Sequence, residues 1–541
     1  MTDPTPRPVE AAPRRQLARS GIAVAAGTAL SRITGFIRVA ALAALGFARL
    51  TDVYNISNST PNIVYELLLG GILTASLVPL FVEYHQHDDD RAVDAITTVA
   101  MVALVAVSAL GVVFAPVIAG VYTSRLSGDV AAQQALMTDL LRMLMPQILF
   151  YGMTALFTAM LNARRRFAAA AFAPALNNLV VIGVLLALPG LAPGRETVPS
   201  VLDHPSEKWL LGLGTTLGVV VMTVVLWPAL RRAGVRLRLV WDIRHPAVRR
   251  LARLSGWTVG YAIANQIAFW VVLVLSYRTS GDTSSYLAAF TFFQLPHGLL
   301  TVSVMTVVGP ELARAAIAGD EGAFRRRFAS GLRVIGLVVI PAGALMVVLA
   351  RPIITGALDY GNFTAASVTT TAGTLAWFGV GLFAFSAYLY TVRGMYAQLD
   401  TRTPFLVNLL ENALNIGLAV ALYPHLGVRG LAISWSVAYS VAAIVAWVVL
   451  DRRVGGLEGP RTLGVFARVL VATALGAATA WGVDRLIDPA TAPAAILTVV
   501  VGGLAGLAVA VGGAAALGVP EITELRTTLT RSPRPGGMTS G

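Results

Sequence analysis

Long, nearly uninterrupted apolar runs alternate along this chain with short polar and charged turns. They show neither the two-residue alternation of a half-buried strand nor the one-sided stripe of a soluble helix. A helix needs about 20 residues to cross a hydrocarbon core of about 30 Å. At that length the sequence contains fourteen candidate spans: 21–47, 61–83, 93–122, 135–161, 168–190, 209–230, 251–277, 285–310, 332–358, 367–392, 403–424, 427–450, 464–483 and 492–518. In hydrocarbon every backbone N–H and C=O must be satisfied inside the segment, so runs of this length predict helices. The expected fold is an all-α polytopic membrane protein of about 14 transmembrane helices. An even count puts both chain ends on one side. The spans group into a tail (1–20), a first bundle (21–230), a basic linker (231–250), a second bundle (251–450), two last spans (451–519) and a second tail (520–541).

Composition agrees with this reading. Apolar residues make up 56% of 541, charged residues 13%, and mean hydropathy is +0.72, which a soluble domain could not carry. The net charge of +13 does not mark a nucleic-acid binder, because the basic residues sit in turns between apolar runs and not on one face or arm. Assigned to the side they adjoin, with the N-terminus inside, 30 of the 41 Lys and Arg fall inside, 8 outside and 3 (Arg32, Arg38, Arg142) within spans. Cytoplasmic loops hold such an excess. The Pro-rich start, with Arg7, Arg14, Arg15 and Arg19, runs into a span too long for a signal-peptide core and reads as a cytoplasmic tail. Arg531–Gly541 reads as a disordered tail. The absence of cysteine excludes disulfides, thiolate nucleophiles and Cys-ligated zinc.

Two further patterns concern organisation. Asn178-Leu-Val-Val-Ile-Gly183 lines up with Asn412-Ala-Leu-Asn-Ile-Gly417 at an offset of 234 residues, and each copy follows a short polar inside turn, Asn162–Phe167 and Gln398–Thr403. This indicates a parallel duplication, a common way to build a transporter from two bundles. Gly35, Pro61, Gly70-Gly71, Pro146, Pro296 with Gly298, and Pro341 with Gly343 interrupt spans and suggest helices that bend. The linker, with Trp241 and alternating basic and apolar residues, reads either as an interfacial segment or as a solvated basic loop.

The candidate chemistry lies in the first span, in Ser31-Arg32-Ile-Thr-Gly-Phe-Ile-Arg38. A guanidinium in hydrocarbon costs at least about 2.5 kcal/mol, so two in one span must face something polar, and an anionic substrate fits. Six residues apart, they stand about 120° and about 9 Å from each other on an ideal helix, and a kink at Thr34-Gly35 would let them converge. The alternative is a structural ion pair of Arg32 with Asp52 or Glu66. Arg142, three residues after Asp139, reads as one half of an interfacial ion pair. Asn265 and Gln266 either line a cavity or join helices. The six histidines show no metal-ligand spacing, His85–Asp90 reads as a solvated turn, and there is no phosphate-cradling loop for ATP; the chain reads as no enzyme.

Together with Ser31-Arg32 and Gly35–Arg38, the ordered stretches Thr51–Tyr54, Thr60–Glu66, Leu77–Phe81, Leu161-Asn162, Phe172–Pro174, Tyr360–Thr364 and Asp400–Pro404 resemble the MurJ/MviN family of lipid II flippases in the MOP transporter superfamily. The resemblance covers about residues 20 to 520. It implies two six-helix lobes around a central cationic cavity, two C-terminal helices forming a groove for a polyprenyl tail, and export of lipid-linked peptidoglycan precursor. It carries over to Ser31, Arg32, Arg38 and Asp52. The chain departs from the family pattern at Tyr65-Glu66, which stand where an arginine pair is usual, and at Thr291 and Gln294 before Pro296, which replace Arg and Glu. Glu66 and Gln294 join the candidate substrate-binding set, and Glu66 could compete for the arginines once substrate leaves.

The expected partners are lipid II or a related polyprenyl-diphosphate lipid, membrane lipids and envelope-synthesis proteins, with no nucleic acid and no cofactor. Membrane potential or a coupled monovalent cation would each fit as driving force. The expected location is the bacterial plasma membrane. Rival readings are an exporter of another lipid-linked oligosaccharide or of hydrophobic drugs, and a non-transporting scaffold for envelope synthesis.

Overall fold

The computed structural model describes residues 14–522 apart from 68–76, 88, 125, 127–129, 192–196 and 255. Both tails beyond these limits and Gly70-Gly71 lie outside the described residues. Every regular element described is helical, and the chain divides into two compact units.

The first unit comprises residues 1–285 with 360–367. Its helices are α1 (Arg14–Ala44), α2 (Arg49–Tyr65), α3 (Val78–Gln86), α4 (Asp90–Thr123), α5 (Val130–Leu144), α6 (Gln147–Ala163), α7 (Phe167–Leu191), α8 (Val198–Asp203), α9 (Pro205–Trp209), α10 (Thr215–Val224), α11 (Trp227–Arg232), α12 (Pro246–Leu254), α13 (Gly256–Ser276) and the first turn of α14 (Asp282–Pro296). This unit therefore extends past the expected boundary at 230. The second unit, 286–359 with 368–541, holds the rest of α14, then α15 (Val302–Ile317), α16 (Glu321–Val348), α17 (Ala350–Leu358), α18 (Ala365–Ala397), α19 (Arg402–Leu426), α20 (Val428–Val454), α21 (Gly459–Ile487) and α22 (Ala492–Ala516).

Thirteen described helical segments are long and apolar enough to cross a membrane. They correspond to thirteen of the fourteen expected spans. The remaining one, 61–83, includes 68–76 and so falls partly outside the described residues. Interruptions behave according to their chemistry. Pro146 separates α5 from α6, and Pro296 is followed by a wide π-turn over His297–Thr301, a form found mostly as single turns inside α-helices. Pro341 instead sits inside an unbroken α16, and α1 continues through Gly35 as one unbroken helix.

The duplication is visible in the backbone. α7 and α19 are each 25 residues long. Before them, Arg165 N–H donates to Asn162 O and Arg166 N–H to Leu161 O; 234 residues later, Leu399 donates to Tyr396 O and Asp400 to Met395 O. Arg165 and Leu399 both take left-handed φ, 57° and 61°.

Packing uses small residues where helices approach, as expected where lipid removes any hydrophobic drive to associate. In the first unit, a Cβ on Gly27 of α1 would lie 2.8 Å from the Ala171 backbone of α7. In the second, Gly476 and Ala480 of α21 meet Gly506 and Ala510 of α22 while Ala472 meets Gly513, and a Cβ on Gly476 would fall 2.3 Å from Gly506 O. Polar side chains tie neighbouring helices: Tyr54 to Thr215 (3.0 Å), Thr60 to Tyr122 (3.2 Å) and Thr154 to Thr223 (2.8 Å). The second unit is centred on aromatic rings, with Phe293 4.7 Å and Phe378 5.4 Å from Trp435.

The linker runs extended before α12. Arg238 N–H donates to the buried Asp94 carboxylate (3.1 Å) and Val240 N–H to Thr98 (3.0 Å), while Leu239 and Trp241 project outward. Asp139 accepts from Lys208 at 2.7 Å, and Arg142 is exposed. The expected Asp139–Arg142 pair is thus replaced by a contact between helices, because Lys208 reaches the carboxylate from α9.

Candidate functional site

The site is built on α1. Thr34 Oγ1 donates back to Leu30 O (2.8 Å) and lies within 3.2 Å of Ser31 O, while the Asn178 amide of α7 donates to both Ser31 O and Thr34 Oγ1 at 3.2 Å. Gly35 lies against that amide, and a Cβ there would be in ordinary contact, 3.5 Å from Asn178 Nδ2. These contacts commit the Ser31–Thr34–Gly35 face to α7 and fix the rotation of α1. Arg32 is left exposed and Arg38 half-buried. Among the described residues neither guanidinium forms an ion pair or a hydrogen bond, so the structural pairing of Arg32 with Asp52 or Glu66 is not what is found.

Arg38 lies within Coulombic reach of Tyr151 on α6, and the Tyr151 ring meets Tyr65 of α2 at 5.7 Å. Glu66, half-buried, follows Tyr65 at the C-terminal end of α2 and acts on it electrostatically. Arg38 is thus linked to Tyr151, and Tyr151 through Tyr65 to Glu66, across α1, α6 and α2. Nothing in the sequence singles out Tyr151, because an aromatic in an apolar span gives no sign that it stands next to a charge.

Asp52 is placed differently from its expected role. It is fully buried, and its oxygens accept from Gly281 N–H (2.6 Å), Ser284 N–H (2.9 Å) and Ser284 Oγ (2.7 Å) at the start of α14. The orphan amides and positive dipole end of a helix N-terminus explain the preference for a carboxylate there. Arg49 beside it donates to the carbonyls of Tyr277 and Arg278 and lies 4.8 Å from the Tyr277 ring centre. Gly281, at φ +86°, lets this turn approach Phe47, and Asn362 N–H donates to Ala44 O (2.9 Å) while Phe363 meets Phe47 edge-on at 4.9 Å. Thr51–Tyr54 and Tyr360–Thr364 are therefore two sides of one junction after α1.

In the second unit Gln294 is half-buried on α14, two residues before Pro296, and Thr291 Oγ1 donates to Leu287 O (2.9 Å). Asn415 accepts from Ser434 (3.1 Å), which joins α19 to α20.

Thirteen described helices long and apolar enough to cross a membrane, one of them carrying two arginines, define a polytopic membrane protein, and the fold has known counterparts. It superposes on a lipid II flippase MurJ in an inward closed conformation with a TM-score of 0.74 at 20% identity, covering 92% of this chain and 99% of that one. An inward-facing MATE family multidrug resistance transporter of the MOP superfamily gives 0.63 at 12% identity, covering 78% and 95%. The chain belongs to the MurJ lipid II flippase family, whose sequence pattern matches residues 42–502. A relative from Rhizobium meliloti (strain 1021), a probable lipid II flippase MurJ, is 28% identical over 504 residues, 92% of either protein. Members of this family are transporters and not enzymes.

Proposed function

We propose that this protein moves lipid II, an undecaprenyl-diphosphate-linked disaccharide-pentapeptide, from the inner to the outer leaflet of the plasma membrane by alternating access. Arg32 and Arg38 receive the diphosphate. The observation that carries the reading is the pair of guanidiniums within one span, without ion-pair or hydrogen-bond partners among the described residues. A diphosphate crossing a low-dielectric slab needs its lost hydration replaced, since a bare charge there is prohibitively costly. Arginine suits this role because its planar fork binds phosphate oxygens in pairs and stays charged at any relevant pH.

Along the unbroken α1 the two arginines stand about 9 Å apart and bracket the anion through their long side chains. Ser31 and the Tyr65 and Tyr151 hydroxyls offer neutral donors nearby. Glu66 competes for the arginines once the diphosphate leaves and so resets the site. Gln294 and Thr291 contribute polarity without charge. Asp52 positions the α2–α14 junction and does not touch substrate. Membrane potential acting on the empty cationic site, or a coupled monovalent cation, drives the cycle. Both termini lie in the cytoplasm, and envelope-synthesis proteins that make and consume the lipid are the natural partners.

The test is depletion of the protein followed by chemical identification of the polyprenyl diphosphate that accumulates on the inner leaflet, with complementation by Arg32→Ala and Arg38→Ala variants. Lipid II should accumulate and neither variant should relieve it. Accumulation of another lipid-linked sugar would replace the substrate, and full rescue by the double variant would favour a scaffold.

A further inference from the structure

A second concentration of guanidiniums lies in the first unit, well away in sequence from α1. A cavity of about 850 Å³ is lined by Arg164, Arg165 and Arg166 of the α6–α7 turn, by Arg232 at the end of α11, and by His85 near the end of α3. Among the described residues no Asp or Glu belongs to its lining. Topology alone requires basic residues on the inside face but does not require them to converge on one hollow.

Several other inside arginines are held by carboxylates instead. Arg250 pairs with Glu83 (2.6 Å), Arg325 with Glu321 (2.8 Å), Arg327 with Glu311 (3.7 Å), and Arg333 with Glu458 (2.9 Å) and Glu521. The duplicated turn 234 residues later has the same backbone, with left-handed Leu399 in place of Arg165, yet there Asp400 stands in place of Arg166 and pairs with Arg453. The first copy keeps the geometry and carries three adjacent guanidiniums with no ion pair among the described residues. Arg165 holds φ +57°, where other helix ends of the chain, at Gly46, Gly234, Gly319 and Gly518, use glycine; a side chain there costs about 1 kcal/mol. Arg164 is half-buried. Burial presses its pKa down from the ordinary value, with only the Asp90 charge acting against it.

We infer that this cavity is a second anion site, which takes a phosphate or diphosphate group at the inner membrane surface. The half-buried Arg164 and the exposed Arg165, Arg166 and Arg232, all lining one hollow, match a group with several oxygens, since each guanidinium fork can engage two. The ligand is either the headgroup of a membrane lipid or a soluble phosphate ester, and the chemistry of recognition is the same for both.

The full-length protein in detergent, titrated with inorganic pyrophosphate at constant ionic strength, tests this by thermal unfolding. A saturable rise in Tm is expected for the wild-type chain. In the background of Arg32→Ala/Arg38→Ala, which removes the proposed transport site, the rise should persist, and adding Arg164→Gln/Arg166→Gln/Arg232→Gln to that background should abolish it. The corresponding triple Lys variant keeps the charge and the topology and should bind roughly tenfold or more weakly, because the forks are lost. Repeating the titration in nanodiscs identifies the source. Competition between pyrophosphate and phosphatidylglycerol added to phosphatidylcholine assigns the site to a lipid headgroup, and its absence assigns it to a soluble ester. A pyrophosphate response unchanged in both triple variants, or one that follows ionic strength alone, overturns the inference.

Discussion

Replacing Arg32 and Arg38 together by Ala should abolish transport while leaving the amount of inserted protein unchanged, because both side chains are free of structural pairing and removing charge from a span favours insertion. A flipping assay in proteoliposomes, with quantification of the reconstituted protein, checks this. Asp52→Ala should behave in the opposite way. It leaves Gly281 N–H and the Ser284 donors buried without an acceptor, at a cost of about 3 kcal/mol, read as a lowered Tm in the absence of any substrate. Asp400, outside the spans, titrates in a direction its surroundings set. Burial pushes its carboxyl up, but hydrogen bonds from Thr403 and Arg453 outweigh it and hold the group below its ordinary value of 3.8. A depressed folded-state pKa contributes stability above the unfolded value and loses it as pH falls through the folded one. The Tm difference between the wild-type chain and Asp400→Asn should therefore be constant above about pH 5 and shrink below the ordinary carboxylate range.

At the scale of elements, small residues decide how closely helices pack. Gly476→Leu drives a side chain into Gly506 O and should lower stability by about 1–3 kcal/mol. Leu475→Ala, on the exposed face, should leave it nearly unchanged, and thermal unfolding in one detergent compares the two. The positions of the helices were legible from apolar run length, because a membrane span has to satisfy its backbone internally whatever surrounds it. The behaviour of the interruptions was not. Pro146 breaks its span, Pro341 does not, and Gly35 leaves α1 unbroken, with Thr34 and Asn178 hydrogen-bonded at the point where sequence suggested a bend. Asp139 likewise turns from its near neighbour Arg142 to Lys208, a partner 69 residues away.

For the molecule as a whole, the alternation of basic and mixed turns makes a topology that can be read directly. The chain has no cysteine, so single cysteines report without background. Leu239→Cys and Ile317→Cys should be labelled from the cytoplasmic side only, and Ser280→Cys and Leu486→Cys from the outer side only, by a membrane-impermeant maleimide in intact cells and inverted vesicles. All four positions are exposed.

Span length and the presence of two costly arginines followed from the order of residues alone, because the bilayer acts on each segment separately and imposes the same kind of penalty on every buried cation. Which polar groups meet was decided only in three dimensions. Asp52 and the amides at Gly281 and Ser284, Arg38 and Tyr151, and Ser31 and Asn178 are brought together from helices more than a hundred residues apart, and no local pattern records such a pairing. An energetic demand can be read along a chain, but the partner that satisfies it depends on how the helices pack.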